Sequence, residues 1–292
     1  MSDDTLPLDF TAAQNISAMP GSSADPAVDE VAEWLDERSA AALIGVSIRQ
    51  AIDEVLDGQR TGRYDIDDLE KTEKTYLGTK VEIIIRSAFG LQRGQRMDYL
   101  IADHEVDSKF TIGSNWTIPK EAAGHICLLT RADDHRSLFS AGLLRIDGGI
   151  LNAGENRDGK RSLSAAGRSA VRWIVRDGRL PENVLMSLTE EDRAAIFSAP
   201  GNQASGQLRT NELFRRVQRK VINRNTVVTV AKQDDSPKRV RDARKFLGPE
   251  GISFLGTSSL IRVSPRTLGW KPRTRERGSP RRSLKWRPPA NG

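Results

Sequence analysis

The chain has 292 residues, a net charge of +6, a hydrophobic share of 37% and one cysteine, Cys127. That length accommodates two modest domains, and the low apolar share points to segments that do not fold. A lone thiol excludes an intramolecular disulfide and fits a reducing cytoplasm, the expected location. No apolar run is long enough to span a membrane, and the acidic N-terminus is unlike a signal peptide.

The charge is unevenly placed. From Thr257 onward, ten Lys and Arg residues face Glu276 alone, so the overall basicity belongs to this tail and the rest of the chain is acidic on balance. Any argument for nucleic-acid binding by the folded part must therefore rest on local clusters.

Residues 1–28 are polar and aperiodic and are expected to be disordered. From Asp29, VDEVAEWLDERSAAALIGV and IRQAIDEVLDG carry apolar residues at helical spacing, with Gly58 as a C-terminal stop. QRTGRY reads as a loop bearing Arg60 and Arg63. DDLEKTEKTYLGTKVEIIIRSAFG reads as a helix with a break near Gly78; Lys71 and Lys74 lie on one side of it and Glu82 in its second half.

MDYLIA and HEVDSKF then read as a hairpin. Strand side chains repeat every second residue, so Asp107 and Lys109 share a face opposite Val106 and Phe110. D-x-K alone is most simply a solvated strand face. Glu82 on the preceding helix, Asp98 on the first strand and D-x-K on the second make a rarer combination, in the order that a metal-dependent phosphodiesterase needs. Mg²⁺ takes oxygen ligands and keeps several waters, so Asp98, Asp107 and the main-chain carbonyl of Ser108 are the candidate ligands. Lys109 is placed to hold or deprotonate a metal-bound water, and Glu82 to orient that water or hold a second ion. His104, His125 and His135 lack metal-ligand spacing, which argues against zinc. His104, at the hairpin turn, keeps a small weight as a neighbour of the carboxylates. Cys127, inside HICLLT, reads as a small buried hydrophobe.

FTIGSNWTIP reads as a loop, and GHICLLTR and LFSAGLLRI as two further strands. Arg157, Lys160 and Arg161 form a basic loop, and a helix is expected from Leu163 onward, where the second region begins. Thr189 and Asp192 read as a capping box opening a short helix. QLRTNELFRRVQRKVI reads as a helix with Leu213, Phe214, Val217 and Val221 on one face and Arg209, Arg216, Arg219 and Lys220 largely on the other. NTVVTVAKQ and GISFLG are expected to be strands around a basic loop, SPKRVRDARKF. Helices followed by a hairpin suggest a winged helix-turn-helix with Arg209, Arg215, Arg216 and Arg219 toward DNA; a small domain with a solvated arginine-rich face is the equal alternative.

Several longer stretches carry a family resemblance: DGQRTGRY (57–64), KTEKTYLGTKVEI (71–83), MDY (97–99), VDSKF (106–110), GHICL (124–128), NRDGKRSLSAAGR (156–168), NELFRRVQ (211–218), VAKQDD (230–235) and KRVR (238–241). In these the chain resembles the NaeI-type restriction endonucleases over about 31–256. The resemblance implies an α/β nuclease domain of the PD-(D/E)xK class over 29–160, with a mixed sheet flanked by helices. On it Asp98, Asp107 and Lys109 would be catalytic and Glu82 an additional acidic position. It further implies a winged-helix DNA-binding domain over 163–256 and a homodimer that cuts a palindromic duplex with Mg²⁺, activated by a second DNA copy. Arg60, Arg63, Lys71, Lys74, Arg157, Lys160 and Arg161 would join the second region's arginines as DNA contacts. From Thr257 the sequence no longer follows the family and reads as a disordered basic tail, 257–292. Two rivals remain: a catalytically silent DNA-binding regulator on the same scaffold, against which the intact Glu82, Asp98, Asp107 and Lys109 argue, and a basic-tail RNA-binding or structural protein, which explains only the tail.

Overall fold

The computed structural model describes residues 25–198, 205–233, 236–256 and 260–265. The disorder expected of the N-terminal segment up to 24 and of the tail beyond 265 concerns residues outside these.

The helical layer begins earlier than its apolar period. Helix α1 (Pro26–Asp36) starts behind Asp25, whose carboxylate accepts the Ala27 and Val28 N–H groups, with proline in the first turn. Helices α2 (Ala40–Leu56) and α4 (Lys71–Phe89) follow. Between them the expected QRTGRY loop opens on one helical turn, α3 (Gly58–Thr61). No break occurs at Gly78: α4 runs unbroken through it because Leu77, Val81, Ile84 and Ile85 bury one stripe on either side.

A five-stranded sheet lies beneath these helices. It comprises β1 (Tyr99–Ile101), β2 (His104–Thr111), β4 (Ile126–Asp133), β5 (Leu138–Arg145) and β8 (Arg172–Arg179), in the order β1-β2-β4-β5-β8. Only the β2–β4 pair is parallel. Alternation sorts each strand into two faces. Val106, Ile126, Leu128, Ala141 and Leu143 pack against Val31, Leu35, Ile44, Ile48, Leu77 and Val81 of the helices. Cys127, Leu129 and Leu144 on the opposite face pack on Trp116, Ile118 and Leu163. That second cover is a small sheet of β3 (Thr117–Ile118), β7 (Arg161–Leu163) and β6 (Leu151–Glu155), so the segment read as a loop contributes a short strand.

The helix expected from Leu163 onward is only a short turn. Leu163 ends β7, α5 (Ala165–Ser169) is five residues long, and the chain then enters β8 beside β5. An extra residue in β8 at its register shift with β5 lets the adjacent Ile174 and Val175 both reach the first core. The stretch 172–179, read as part of the second region, thus packs with the first.

The second unit has its own core. Thr189 caps α6 (Glu190–Phe197) as expected, its hydroxyl accepting the Asp192 N–H at 3.1 Å. Helix α7 (Ser205–Arg216) stops well short of the expected end: Arg219 adopts φ 65° and gives its N–H to the Val263 carbonyl, and Val221, which is exposed, opens β9 (Val221–Asn223). The valine-rich NTVVTVA is helix α8 (Arg224–Ala231), not a strand. Asn223 caps it through the Thr226 N–H, and burial of Thr226 to Ala231 overrides β-branched propensity. SPKRVRDARKF, expected as a loop, is helix α9 (Ser236–Leu247), because Val240, Ala243 and Leu247 bury a helical stripe between the charges. Strand β10 (Ile252–Gly256) matches the GISFLG expectation, and β11 (Leu260–Pro265) pairs with both β10 and β9. Strand β11 lies inside the segment read as a disordered tail, so that reading is corrected for 260–265.

The two units meet where α3 packs on α8. Asn225 donates to the Asp53 carboxylate at 2.9 Å, and Asn183 to the Tyr64 carbonyl at 2.7 Å. At Gly58 an added Cβ would lie 2.3 Å from the Thr229 hydroxyl, so only glycine lets α3 sit this close.

Candidate active site

Strand β2 brings Asp107 and Lys109 out on one face, as alternation predicts, and the Lys109 ammonium lies 2.5 Å from Asp107 Oδ2. That ammonium also donates to the Ser108 carbonyl at 3.2 Å. Asp98 stands one residue before β1, not on it. Its Oδ2 accepts the Ser108 N–H at 2.8 Å, bridging the two strands at their mouth. Glu82 faces them from α4 and pairs with Arg86, one turn on, at 2.9 Å.

These acids crowd one another. Burial, above all, with a hydrogen bond to the Asp107 carboxyl and the nearby charges of Glu82 and Asp107, pushes Asp98 up to about 6, although the Ser108 N–H opposes the shift. An all-oxygen set of carboxylates suits a hard cation. Asp98 and Asp107 lie within hydrogen-bond reach of each other, but Glu82 does not complete a three-carboxylate group with them at coordination distance. Among the described residues, the group with three ligand-type atoms within 4.8 Å of one another is Asp65, Asp67 and His135, on the surface.

Three further residues support the site. The Tyr99 hydroxyl donates to the Glu82 carbonyl at 3.0 Å and accepts from the Ser108 hydroxyl at 3.1 Å, tying α4 to both strands. Arg86 holds Glu82. Cys127 is buried, as its sequence suggests, but it also sits beside Asp107 in the parallel register, its Sγ 3.7 Å from Oδ2. The sequence holds no signal for that contact, because it depends on which strand lies next to β2. His104 does not approach the carboxylates: it pairs with Glu30 of α1 at 2.7 Å.

The basic candidates divide. Arg63 grips Glu73 with both guanidinium ends at 2.8 Å, and Arg161 donates to the Asn152 carbonyl at 2.6 Å. Arg209 donates to the Val230 and Ala231 carbonyls at the end of α8. Arg215 pairs with Glu250 and Glu212, and Arg216 with Asp192 and Glu212. Arg60 pairs with Asp57 but stays exposed, and Lys74 reaches the Asp67 carbonyl at 3.4 Å. Lys71, Arg157, Lys160 and Arg219 are exposed. The structure thus gathers Glu82, Asp98, Ser108, Asp107 and Lys109 in one place and spreads the basic residues over several.

Among the described residues no helix is long and apolar enough to cross a membrane. A mixed sheet with this arrangement is compatible with a restriction endonuclease, and comparison with known proteins shows that class. The family model described as "Restriction endonuclease NaeI" matches residues 31–281, and the chain belongs to that family. The match runs past Thr257, from which the sequence was expected to leave the family. A relative, the type II restriction enzyme NaeI of Lentzea aerocolonigenes, is 44% identical over 216 residues, covering 72% of this chain and 68% of the relative. The protein is a type II restriction endonuclease, an enzyme that hydrolyses DNA at specific sites.

Proposed function

We propose that the enzyme cuts a palindromic duplex site as a homodimer in a Mg²⁺-dependent reaction in the cytoplasm, and that its helix-and-hairpin unit binds a second, activating DNA copy. One observation carries the catalytic part: two carboxylates, Asp98 and Asp107, and the ammonium of Lys109 converge on the Ser108 peptide at the mouth of one strand pair. Asp98, Asp107 and the Ser108 carbonyl would hold the cation, with Glu82 beside them. When bound, the ion supplies charge neutralisation at the phosphoryl oxygens and a more acidic water. The chain supplies the rest. Asp107 and the Ser108 carbonyl fix Lys109, which presents a positive charge to the scissile phosphate and donates to the attacking water. Asp98 braces the Ser108 peptide, and Tyr99 keeps Glu82's helix at a set distance.

A consequence for pH follows from Asp98. A carboxyl raised to about 6 holds its proton below that pH, where it is a poor cation ligand. Cleavage at limiting Mg²⁺ is expected to fall as pH drops through about 6 and to be partly restored by more Mg²⁺. In the metal-free protein the sign is opposite: an acid with a raised folded-state pKa favours folding at low pH and loses that contribution as pH rises through about 6. Asp98→Asn is therefore expected to raise metal-free thermal stability at pH 8 while abolishing cleavage.

The DNA-reading role belongs to α9 in this proposal, in place of α7. Support for this reading comes from the order α7, β9, α8, α9, then the β10–β11 hairpin, with β9 paired to β11, which is compatible with a winged helix-turn-helix whose last helix before the wing enters the groove. Arg241 stands exposed on α9, whereas Arg215 and Arg216 of α7 are held by acidic neighbours. Arg241→Ala is expected to weaken stimulation by an added cognate oligonucleotide, while a substrate saturating the nuclease site is still cut. A phosphate contact at Arg241 would lower the salt slope of binding by about one; a bidentate guanine contact would cost about 1–3 kcal/mol. Stimulation that is unchanged in Arg241→Ala and lost in Arg216→Ala would return the role to α7.

A further inference from the structure

Gly78 has no explanation among the described residues. It sits in the middle of α4, a 19-residue helix, where glycine costs about 1 kcal/mol relative to alanine. Its φ is not in the left-handed region. A Cβ placed there would meet nothing within 4 Å among the described residues. The other described glycines within α-helices are different: a Cβ at Gly45 would strike the Phe139 ring at 2.9 Å, at Gly58 the Thr229 hydroxyl at 2.3 Å, at Gly167 the Ile150 carbonyl at 2.4 Å and at Gly206 the Ala231 carbonyl at 2.8 Å. Those four are required by packing, and Gly78 is not. The space it leaves open faces outward.

Helical geometry says what lies along that face. Residues three, four and seven apart stack on one side of a helix. One turn after Gly78 stands Glu82, next to the carboxylate pair; one and two turns before it stand Lys74 and Lys71. We propose that Gly78 is the point where the sugar–phosphate backbone of the substrate strand crosses α4 on its way to Asp98 and Asp107, the missing Cβ letting the backbone lie close against the helix. Lysines at the approach and a carboxylate site beyond it suit a polyanion better than a protein surface. Gly78 is a positioning residue, and the inference rests on the reading of Glu82, Asp98, Asp107 and Lys109 as the nuclease site.

Stability and function should move in opposite directions. Gly78→Ala and Gly78→Leu should raise the melting temperature by about 2–4 °C, since each removes the glycine penalty without a clash. Cleavage of cognate duplex in Mg²⁺, and binding of the same duplex in Ca²⁺, should fall in the order Gly, Ala, Leu, with the leucine variant down roughly 10²-fold in cleavage. Ser87→Leu, exposed and half a turn out of phase on the same helix, should change neither. A Gly78→Leu variant that cuts and binds like the wild type overturns the inference. So does a lowered melting temperature, which would mean that the glycine serves the fold, or a loss of dimer in sedimentation without DNA, which would mean that a second copy covers this face. If the wild type itself makes no discrete cuts, it is the underlying site reading that fails.

Discussion

Asp107→Ala is expected to leave a folded protein that binds its cognate duplex in Ca²⁺ and has lost cleavage by at least roughly 10²–10⁴-fold, the scale of one acid–base group. The substitution removes a carboxylate that is 7% exposed, that anchors Lys109 at 2.5 Å and that shares a hydrogen bond with Asp98. Lys109→Ala should lose cleavage on a similar scale for a different reason, because the positive charge next to the phosphate disappears while Asp98 and Asp107 remain. Circular dichroism and Ca²⁺-supported binding separate these outcomes from misfolding. An Asp107→Ala enzyme with full activity would move the chemistry elsewhere in the chain.

The largest stability effect is expected far from the site, at Arg49. Its guanidinium is buried between Asp53, at 2.7 Å, and Asp134, to which it donates a short hydrogen bond. The Asp53 contact has ion-pair distance without hydrogen-bond alignment, since Arg49 Nη2 has no hydrogen-bond partner. Burial raises the Asp53 carboxyl despite the Arg49 charge and the hydrogen bond from Asn225. Arg49→Met therefore leaves two buried carboxylates facing each other without a cation. Breaking such a pair costs about 3–5 kcal/mol, which is a fall of roughly 10 °C in melting temperature. With the guanidinium gone, Asp53 is raised further, so the defect should shrink as pH falls and the carboxyls take up protons. Adding Asp53→Asn and Asp134→Asn to Arg49→Met should recover part of the loss at pH 8. A melting temperature that does not change in Arg49→Met would show that the pair contributes nothing net.

What could be read in advance from the sequence divides along physical lines. Asp107 and Lys109 were legible because strand alternation is local. Glu82 and Asp98 were legible as ordered acids, though the sequence did not say that Asp98 precedes its strand or that it holds the Ser108 N–H. Tyr99, Arg86 and Cys127 were not legible as supports, since each acts through a neighbour set by topology, Cys127 through the parallel register of β2 and β4. In the second unit, β-branched propensity misled at α8, where burial between helices decides. Charge density hid the Val240, Ala243 and Leu247 stripe of α9. The arginines of α7 stood out by number, but ion pairing with Asp192, Glu212 and Glu250 depends on residues brought near only by folding. At β8, helix-forming AAGRSAV concealed a strand that the open edge of β5 recruits.

The central claim is that the Asp98–Asp107–Lys109 cluster hydrolyses duplex DNA with a divalent cation at defined positions. End-mapping of duplex DNA incubated with purified enzyme, with and without Mg²⁺, tests it most directly. Discrete cuts at one palindromic sequence, with 5′-phosphate and 3′-hydroxyl ends, present with Mg²⁺ and absent with a chelator or in Asp107→Ala, are the predicted result. Equal cutting in chelator, or discrete cutting that survives Asp107→Ala, would contradict it.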